Sequence, residues 1–175
     1  QLSSLDSLIR PTYWDGIDLI AASNLLSEAE TALPGQHEYW LALDRALEGA
    51  RAAYDVVIID TSPTLSPLAA TCVMASNGLI VPVTPNALDF ASSVQFFGML
   101  ADTCKGFEAF GNYSKTFDFV NVLLSKVDSA DRATVGMVRE MMQAAYGRLL
   151  LSVEIPKTTA TTSSSAAFGT IYDEN

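Results

Sequence analysis

The chain has 175 residues, 49% of them hydrophobic and 17% charged, and carries ten Lys/Arg against twenty Asp/Glu for a net charge of −10. That length suits one domain with a core of useful size, and the composition excludes a disordered tail, which has the reverse balance. A chain this acidic has no bulk attraction for phosphate backbones or anionic lipid, so any contact with DNA requires a local basic patch or parts outside this sequence.

The apolar content leaves surface that something outside the chain is expected to cover. Cys72 and Cys104 make no disulfide framework. Both fall in apolar helical patterns and are expected as buried, reduced thiols. No basic stretch precedes an apolar run at the start, and no apolar run reaches about 18 residues, so neither a signal peptide nor a transmembrane helix is expected. The chain reads as cytoplasmic, or as a piece of a cytoplasmic protein.

In chain order, Gly16–Ile20 reads as a short strand entered from the turn-prone Pro11–Asp15. Asn24 reads as the N-cap of a helix through Leu25, Leu26, Ala29 and Leu33, stopped by Pro34-Gly35. A second helix is predicted over Glu38–Ala52, with Trp40, Leu43 and Leu47 at helical spacing. Val56-Val57-Ile58-Ile59 is an unbroken β-branched run, the pattern of a strand buried on both faces of a parallel sheet. Helix Leu65–Ala75, strand Gly78–Val83 and helix Leu88–Lys105 follow, then a loop over Gly106–Lys115. Strand Phe117–Leu124, helix Asp131–Tyr146 and strand Leu149–Ile155, closed by Pro156, complete the alternation. This order predicts an α/β fold: a doubly wound, mostly parallel sheet with helices on both faces. The hydroxyl-rich segment Thr158–Ala167 reads either as a linker or as a loop and short helix whose hydroxyls face a site.

In such a sheet, ligands bind outside the carboxyl ends of the strands. The run Val56–Ile59 delivers Asp60-Thr61-Ser62-Pro63 to that edge. A carboxylate there is placed to hold magnesium through a water or to orient an attacking water, the bland reading being a cap on the next helix. Strand Gly78–Val83 delivers Thr84-Pro85-Asn86, strand Phe117–Leu124 delivers Ser125-Lys126-Val127-Asp128, and the last strand delivers Pro156-Lys157-Thr158. Lys126 either lays its aliphatic stem on a base or is a solvated loop lysine. Asp128 is read as the cap of helix 131–146. Other chemistries lack parts. The single histidine, His37, reads as a surface residue, and with two scattered cysteines a His/Cys zinc site has too few ligands. Neither a G-x-S-x-G elbow, a G-x-x-x-x-G-K-[ST] loop nor a G-x-G-x-x-G turn occurs in these 175 residues.

Four blocks taken together resemble the ParA-type partition ATPases: Arg10–Ser23 with its Pro-Thr-Tyr-Trp, Tyr54-Asp-Val-Val-Ile-Ile-Asp-Thr-Ser-Pro63, Leu79-Ile-Val-Pro-Val-Thr-Pro85 and Asn121-Val-Leu-Leu-Ser-Lys126. The second block is fairly specific to the ParA/MinD class, and the first points to its plasmid branch. The resemblance spans about Ile9 to Tyr172. It implies a deviant Walker P-loop fold that uses ATP and Mg2+, sandwiches into an ATP-bound homodimer, binds DNA without sequence preference and is stimulated to hydrolyse ATP by a centromere-binding partner of the ParB type. It also implies residence in the cytoplasm, on the nucleoid in the full-length parent.

On this resemblance Asp60 matches the catalytic Walker B acid near magnesium, and Thr61 and Pro63 match the turn after it. Thr84 and Pro85 match the strand end facing the phosphates, while Ser125, Lys126, Pro156 and Lys157 match positions flanking the base. Family members carry a lysine-rich P-loop that these residues lack, so the sequence is expected to be one incomplete domain over 1–175. It would be the C-terminal part of a longer ATPase, without the first strand and helix of the sheet and inactive in hydrolysis as it stands. A degenerate paralogue, a positioning ATPase of the MinD kind and a non-catalytic interaction module are the alternatives. The acidic ending Phe168–Asn175 argues against a membrane-seeking helix of the MinD kind. Arg132 and Arg139, seven apart on one helix face, are weak candidates for DNA contact.

Overall fold

The computed structural model describes residues 5–62, 64–111, 114–128, 130–160, 163–164 and 170–172, with the side chains of 110, 111 and 132 outside the description. The chain divides into two compact units, one built from 1–78 and 98–118, the other from 79–97 and 119–175.

The first unit opens on a small hairpin. Strand β1, Arg10–Pro11, pairs antiparallel with β2, Asp18–Leu19. Thr12 pins the loop between them, its Oγ1 donating to the Ile17 carbonyl at 2.7 Å and accepting from the Trp14 N–H at 3.1 Å. Gly16 turns the chain at φ 78°, a conformation that favours glycine. Helix α1, Leu26–Ala32, runs into a 3-10 turn at Leu33–Gly35.

The helix predicted over Glu38–Ala52 is broken into a 3-10 turn at Tyr39–Leu41, α2 at Ala42–Ala46 and α3 at Glu48–Ala53. The break falls at Leu47, whose ψ of −1° lies off the α-helix. Gly49 just beyond it weakens helical preference, and Leu47 is buried against Ala50 and Ala75. Core packing therefore sets the local path.

Helix α4, Pro67–Ala75, starts two residues later than its periodicity suggested. Ser66 caps it, accepting from the Ala69 N–H at 3.2 Å, and Pro67 occupies the first turn, where a missing N–H costs nothing. At its far end the Lys115 ammonium donates to the Met74 carbonyl at 2.8 Å and the Ser76 carbonyl at 2.5 Å. Trp40 stacks on Phe107 at 4.9 Å beside Ala70 and Met74.

The predicted strand Val56–Ile59 is corrected here. Among the described residues no segment pairs with it, and it belongs to neither sheet. Val56 and Ile58 are 74% and 89% exposed, while Ile59 rests on the Leu47–Ala50–Ala75 cluster. A β-branched run is buried only when distant segments hydrogen-bond along its edges and cover its faces.

The second unit holds a parallel three-stranded sheet of β3 (Gly78–Val83), β4 (Phe119–Val127) and β5 (Leu150–Pro156), in that spatial order. Helix α5, Ala87–Gly111, continues past the predicted stop at Lys105. Phe107, buried in the first unit's core, holds the extra turns against the propensity of Gly106. Helix α6, Arg132–Tyr146, is amphipathic, and its Val135, Val138 and Met142 pack with Phe90 and Phe97 of α5 on Val81, Val83, Val122 and Leu124. The Tyr146 hydroxyl hydrogen-bonds the Ser93 hydroxyl at 2.6 Å. Among the described residues no helix is long and apolar enough to cross a membrane.

Candidate functional site

The ends of the three parallel strands meet at a cavity of about 360 Å³ in the second unit, lined by Thr84, Pro85, Asn86, Lys126, Asp128, Asp131, Thr134, Val135 and Lys157. Its size falls within the range of small-ligand sites, roughly 300–1,000 Å³. Its place is the one that parallel-sheet topology favours for ligands.

Each wall has a local cause. After β3, Pro85 is buried and Asn86 turns the chain into α5. The Asn86 Oδ1 accepts from the Asp89 N–H at 2.8 Å, and its amide donates to the Asp89 carboxylate at 2.9 Å. This reciprocal cap fixes the strand-to-helix turn as one wall.

The second wall is a bulge. Leu124 pairs with Glu154 and Val127 with Pro156, so β4 spends one more residue than β5 over that interval. Lys126 takes up the extra residue at φ 54°. A left-handed lysine in a strand costs about 1–2 kcal/mol, and bulges of this kind re-aim a side chain at the end of a sheet. Lys126 consequently lines the cavity and is exposed.

The third wall ties β4 to the segment after β5. The Lys157 N–H donates to the Val127 carbonyl at 2.9 Å, and the Lys157 ammonium donates to Asp128 Oδ2 at 3.0 Å. Asp128 Oδ1 accepts from the Ala130 N–H at 2.9 Å. The Ala130 N–H, and after it the Lys157 ammonium, hold the Asp128 carboxyl below the usual carboxylate range. The cap of α6 is Asp131, which accepts from the Thr134 N–H at 3.3 Å. The expectation that Asp128 caps this helix is thereby corrected: the cap lies three residues on, and Asp128 serves the cavity wall.

Of the residues singled out from sequence, Thr84, Pro85, Lys126 and Lys157 line this cavity. Ser125 is half-buried beside the bulge, Pro156 is exposed at the end of β5, and neither is among the lining residues. Asp60 and Thr61 lie in the first unit, both exposed, after the extended run 56–59. The helix that follows is capped by Ser66, so the bland reading of Asp60 as its cap does not hold. Pro63 lies outside the described residues. The Arg139 guanidinium pairs with the Glu154 carboxylate of β5, and the Arg132 side chain lies outside the description. Thr158 and Thr159 are exposed, and the segment from Thr158 to Ala167 is described only at 158–160 and 163–164. The strand-end reading had brought Asn86 to this edge beside Thr84 and Pro85, whereas sequence reasoning missed Asp131, Thr134 and Val135 as wall residues. An Asp three residues before a Thr was the available signal for the first two.

The family model described as AAA domain matches residues 1–105. Protein SopA of Escherichia coli K12 is 28% identical over 173 residues, which is 95% of this chain and 44% of SopA. A putative replication protein A of Sinorhizobium fredii is 26% identical over 99% of this chain and 44% of its own length. The chain thus spans less than half the length of these curated relatives. Among solved structures, one described as a partition protein superposes with a TM-score of 0.72 at 24% identity, over 86% of this chain and 44% of its own. The ATP complex of a McdA variant from Cyanothece superposes with a TM-score of 0.80 at 14% identity, over 97% of this chain and 64% of its own. Cobyrinic acid a,c-diamide synthase from Mycobacterium smegmatis, with a bound ATP analogue and magnesium, gives 0.72 at 25% identity, over 90% of this chain and 61% of its own.

Proposed function

We propose, from the premise that this chain belongs to the ParA-type partition ATPases of the AAA domain family, that its strand-end cavity holds the adenine base of ATP in a partition ATPase. The observation that carries this reading is the convergence of Thr84-Pro85-Asn86, the Lys126 bulge and Lys157 on one cavity at the ligand edge of the sheet. Pro85, Val135 and the stem of Lys126 suit the flat apolar faces of a base, and the polar groups around them suit its edge.

The residues fit a nucleotide of this kind. Lys126 and Lys157 bring positive charge to the cavity mouth, and the exposed Asp60 carboxylate follows the extended run that the family's acidic strand motif matches. Bound magnesium supplies charge neutralisation on the phosphates. With magnesium bound, Asp60 would orient the attacking water or hold a metal-bound water, the role that its match to the family's acidic motif implies. Ser125 and Pro156 support the base pocket from just outside its wall. The same reading carries the family's other properties to the longer protein: an ATP-dependent homodimer, DNA contact without sequence preference, a ParB-type partner that stimulates hydrolysis, and residence on the nucleoid.

The test is Asp60→Ala in the longer ATPase that contains this chain. A carboxylate acting on the transition state is expected to cost on the order of 100-fold or more in turnover while nucleotide affinity changes little. Normal turnover in that variant refutes the assignment.

A further inference from the structure

Residues 1–44 carry seven Asp/Glu against a single Arg, Arg10, and no Lys. That one guanidinium is turned onto its own backbone, its Nη1 donating to the Ser7 carbonyl and to the Ile9 carbonyl, each at 2.8 Å. The segment therefore keeps a negative balance that favours a cationic partner.

Out of it stands the loop of the first hairpin, Thr12–Ile17, which is fixed from within. Besides the two hydrogen bonds of the Thr12 hydroxyl, the Thr12 N–H donates to the Ile17 carbonyl at 3.1 Å and the Ile17 N–H to the Trp14 carbonyl at 3.2 Å. At the tip Tyr13 is 68% exposed, its ring edge-on to that of half-buried Trp14 with centres 5.5 Å apart. Asp15 and Gly16 beside them are exposed, and open space lies where a Gly16 Cβ would stand. An aromatic side chain left in water forgoes apolar burial. This one is held out on an ordered loop, so a contact made there needs little further ordering.

Tyr and Trp are the side chains that most often anchor protein contacts. Arginine is the cation that suits both halves of this tip. Its planar guanidinium stacks on an aromatic face while its N–H fork pairs with a carboxylate. Lysine brings the charge without the plane.

We propose that the Tyr13-Trp14-Asp15 tip is a docking point for a basic, arginine-bearing segment of a partner protein, with the guanidinium on the Tyr13 ring and against the Asp15 carboxylate. The tip belongs to the first unit, and docking there needs nothing from the strand-end cavity of the second.

The experiment titrates a capped Gly-Arg-Leu-Arg-Gly peptide into the chain and follows the backbone amides and the Trp14 indole by NMR. Saturable shifts centred on Tyr13–Gly16 are expected. Replacing both arginines of the peptide by lysine is expected to weaken binding about 3–10-fold, the scale of a lost stacking contact. Tyr13→Ala and Asp15→Asn leave the Thr12 hydrogen bonds in place, and each is expected to weaken binding by about 3–10-fold with resonances away from the loop unmoved. Equal affinity for the arginine and lysine peptides, or shifts spread over the acidic residues and indifferent to Tyr13→Ala, shows attraction by net charge alone and overturns the docking point. Absence of any shift at the tip overturns it outright. So does a tip that responds in the chain but not in the longer protein, because the remainder of that protein then covers Tyr13.

Discussion

Lys115 shows how one side chain closes a helix here. The last carbonyls of a helix have no partner within it, and two at the end of α4, those of Met74 and Ser76, are met by a single ammonium. The same ammonium sits 5.1 Å from the centre of the Phe117 ring. Lys115→Met keeps the length of the stem and removes the donor, and is expected to cost about 1–2 kcal/mol, measured by urea unfolding. Burial, ahead of the charges around it, lowers the Lys115 pKa from the ordinary value of 10.5. Between that lowered value and 10.5 the unfolded chain binds more protons than the folded one, so the stability contributed at this residue rises with pH in that window and is flat below it. The Lys115→Met penalty is accordingly expected to be constant from about pH 6 to 8 and to grow in alkali. A penalty that falls as pH rises toward 10.5 contradicts this account.

Elements whose signals are local were legible in the sequence. Strand Gly78–Val83 lies where the apolar run placed it, and α6 starts beside an Asp and ends at a Gly, as capping rules require. Gly147 stops α6 at φ 53° and ψ −118°, its N–H donating to the Gln143 carbonyl. No atom lies within 4 Å of where a Cβ would stand, so the strain of Gly147→Ala is purely conformational. It is expected to cost about 1 kcal/mol, read as a lower thermal midpoint with an unchanged circular dichroism spectrum. Elements that depend on distant partners were not legible. The run Val56–Ile59 has the composition of a buried strand and lacks the neighbours that make one. The Lys126 bulge exists only in the register between β4 and β5, which no local pattern of Ser125-Lys126-Val127 reports. The strand-end rule still found Thr84, Pro85, Lys126 and Lys157, because it depends on strand ends and not on register. It missed the α6 contributions, Asp131, Thr134 and Val135, which reach the cavity only once that helix is packed on the sheet.

At the scale of the whole molecule, the charge of −10 decides what this chain does near DNA. Non-specific affinity grows with the number of phosphates neutralised at once, and each contact steepens the salt dependence. Most of the excess acid lies in the first unit, and in the second Arg139 is already paired with Glu154. That pair is exposed on both sides, so it is worth little and yields readily to a phosphate. The chain alone is therefore expected to show no detectable binding to duplex DNA near physiological salt, as measured by fluorescence anisotropy. In the longer protein, the proposed ATP-dependent dimer would double every cation, so binding there is expected to be ATP-dependent and salt-sensitive. Arg132→Ala combined with Arg139→Ala removes two cations, seven residues apart in the sequence, per protomer, hence four in the proposed dimer. At roughly 0.9 per phosphate contact, the slope of log affinity against log salt should flatten by about 2–4, depending on how many of the four sites meet a phosphate. Because the lost ion pair contributes little to stability, an unaltered unfolding midpoint beside a flatter slope assigns the effect to DNA. Tight binding by the chain alone, or a slope unchanged in the double variant, removes α6 from the DNA-contacting surface.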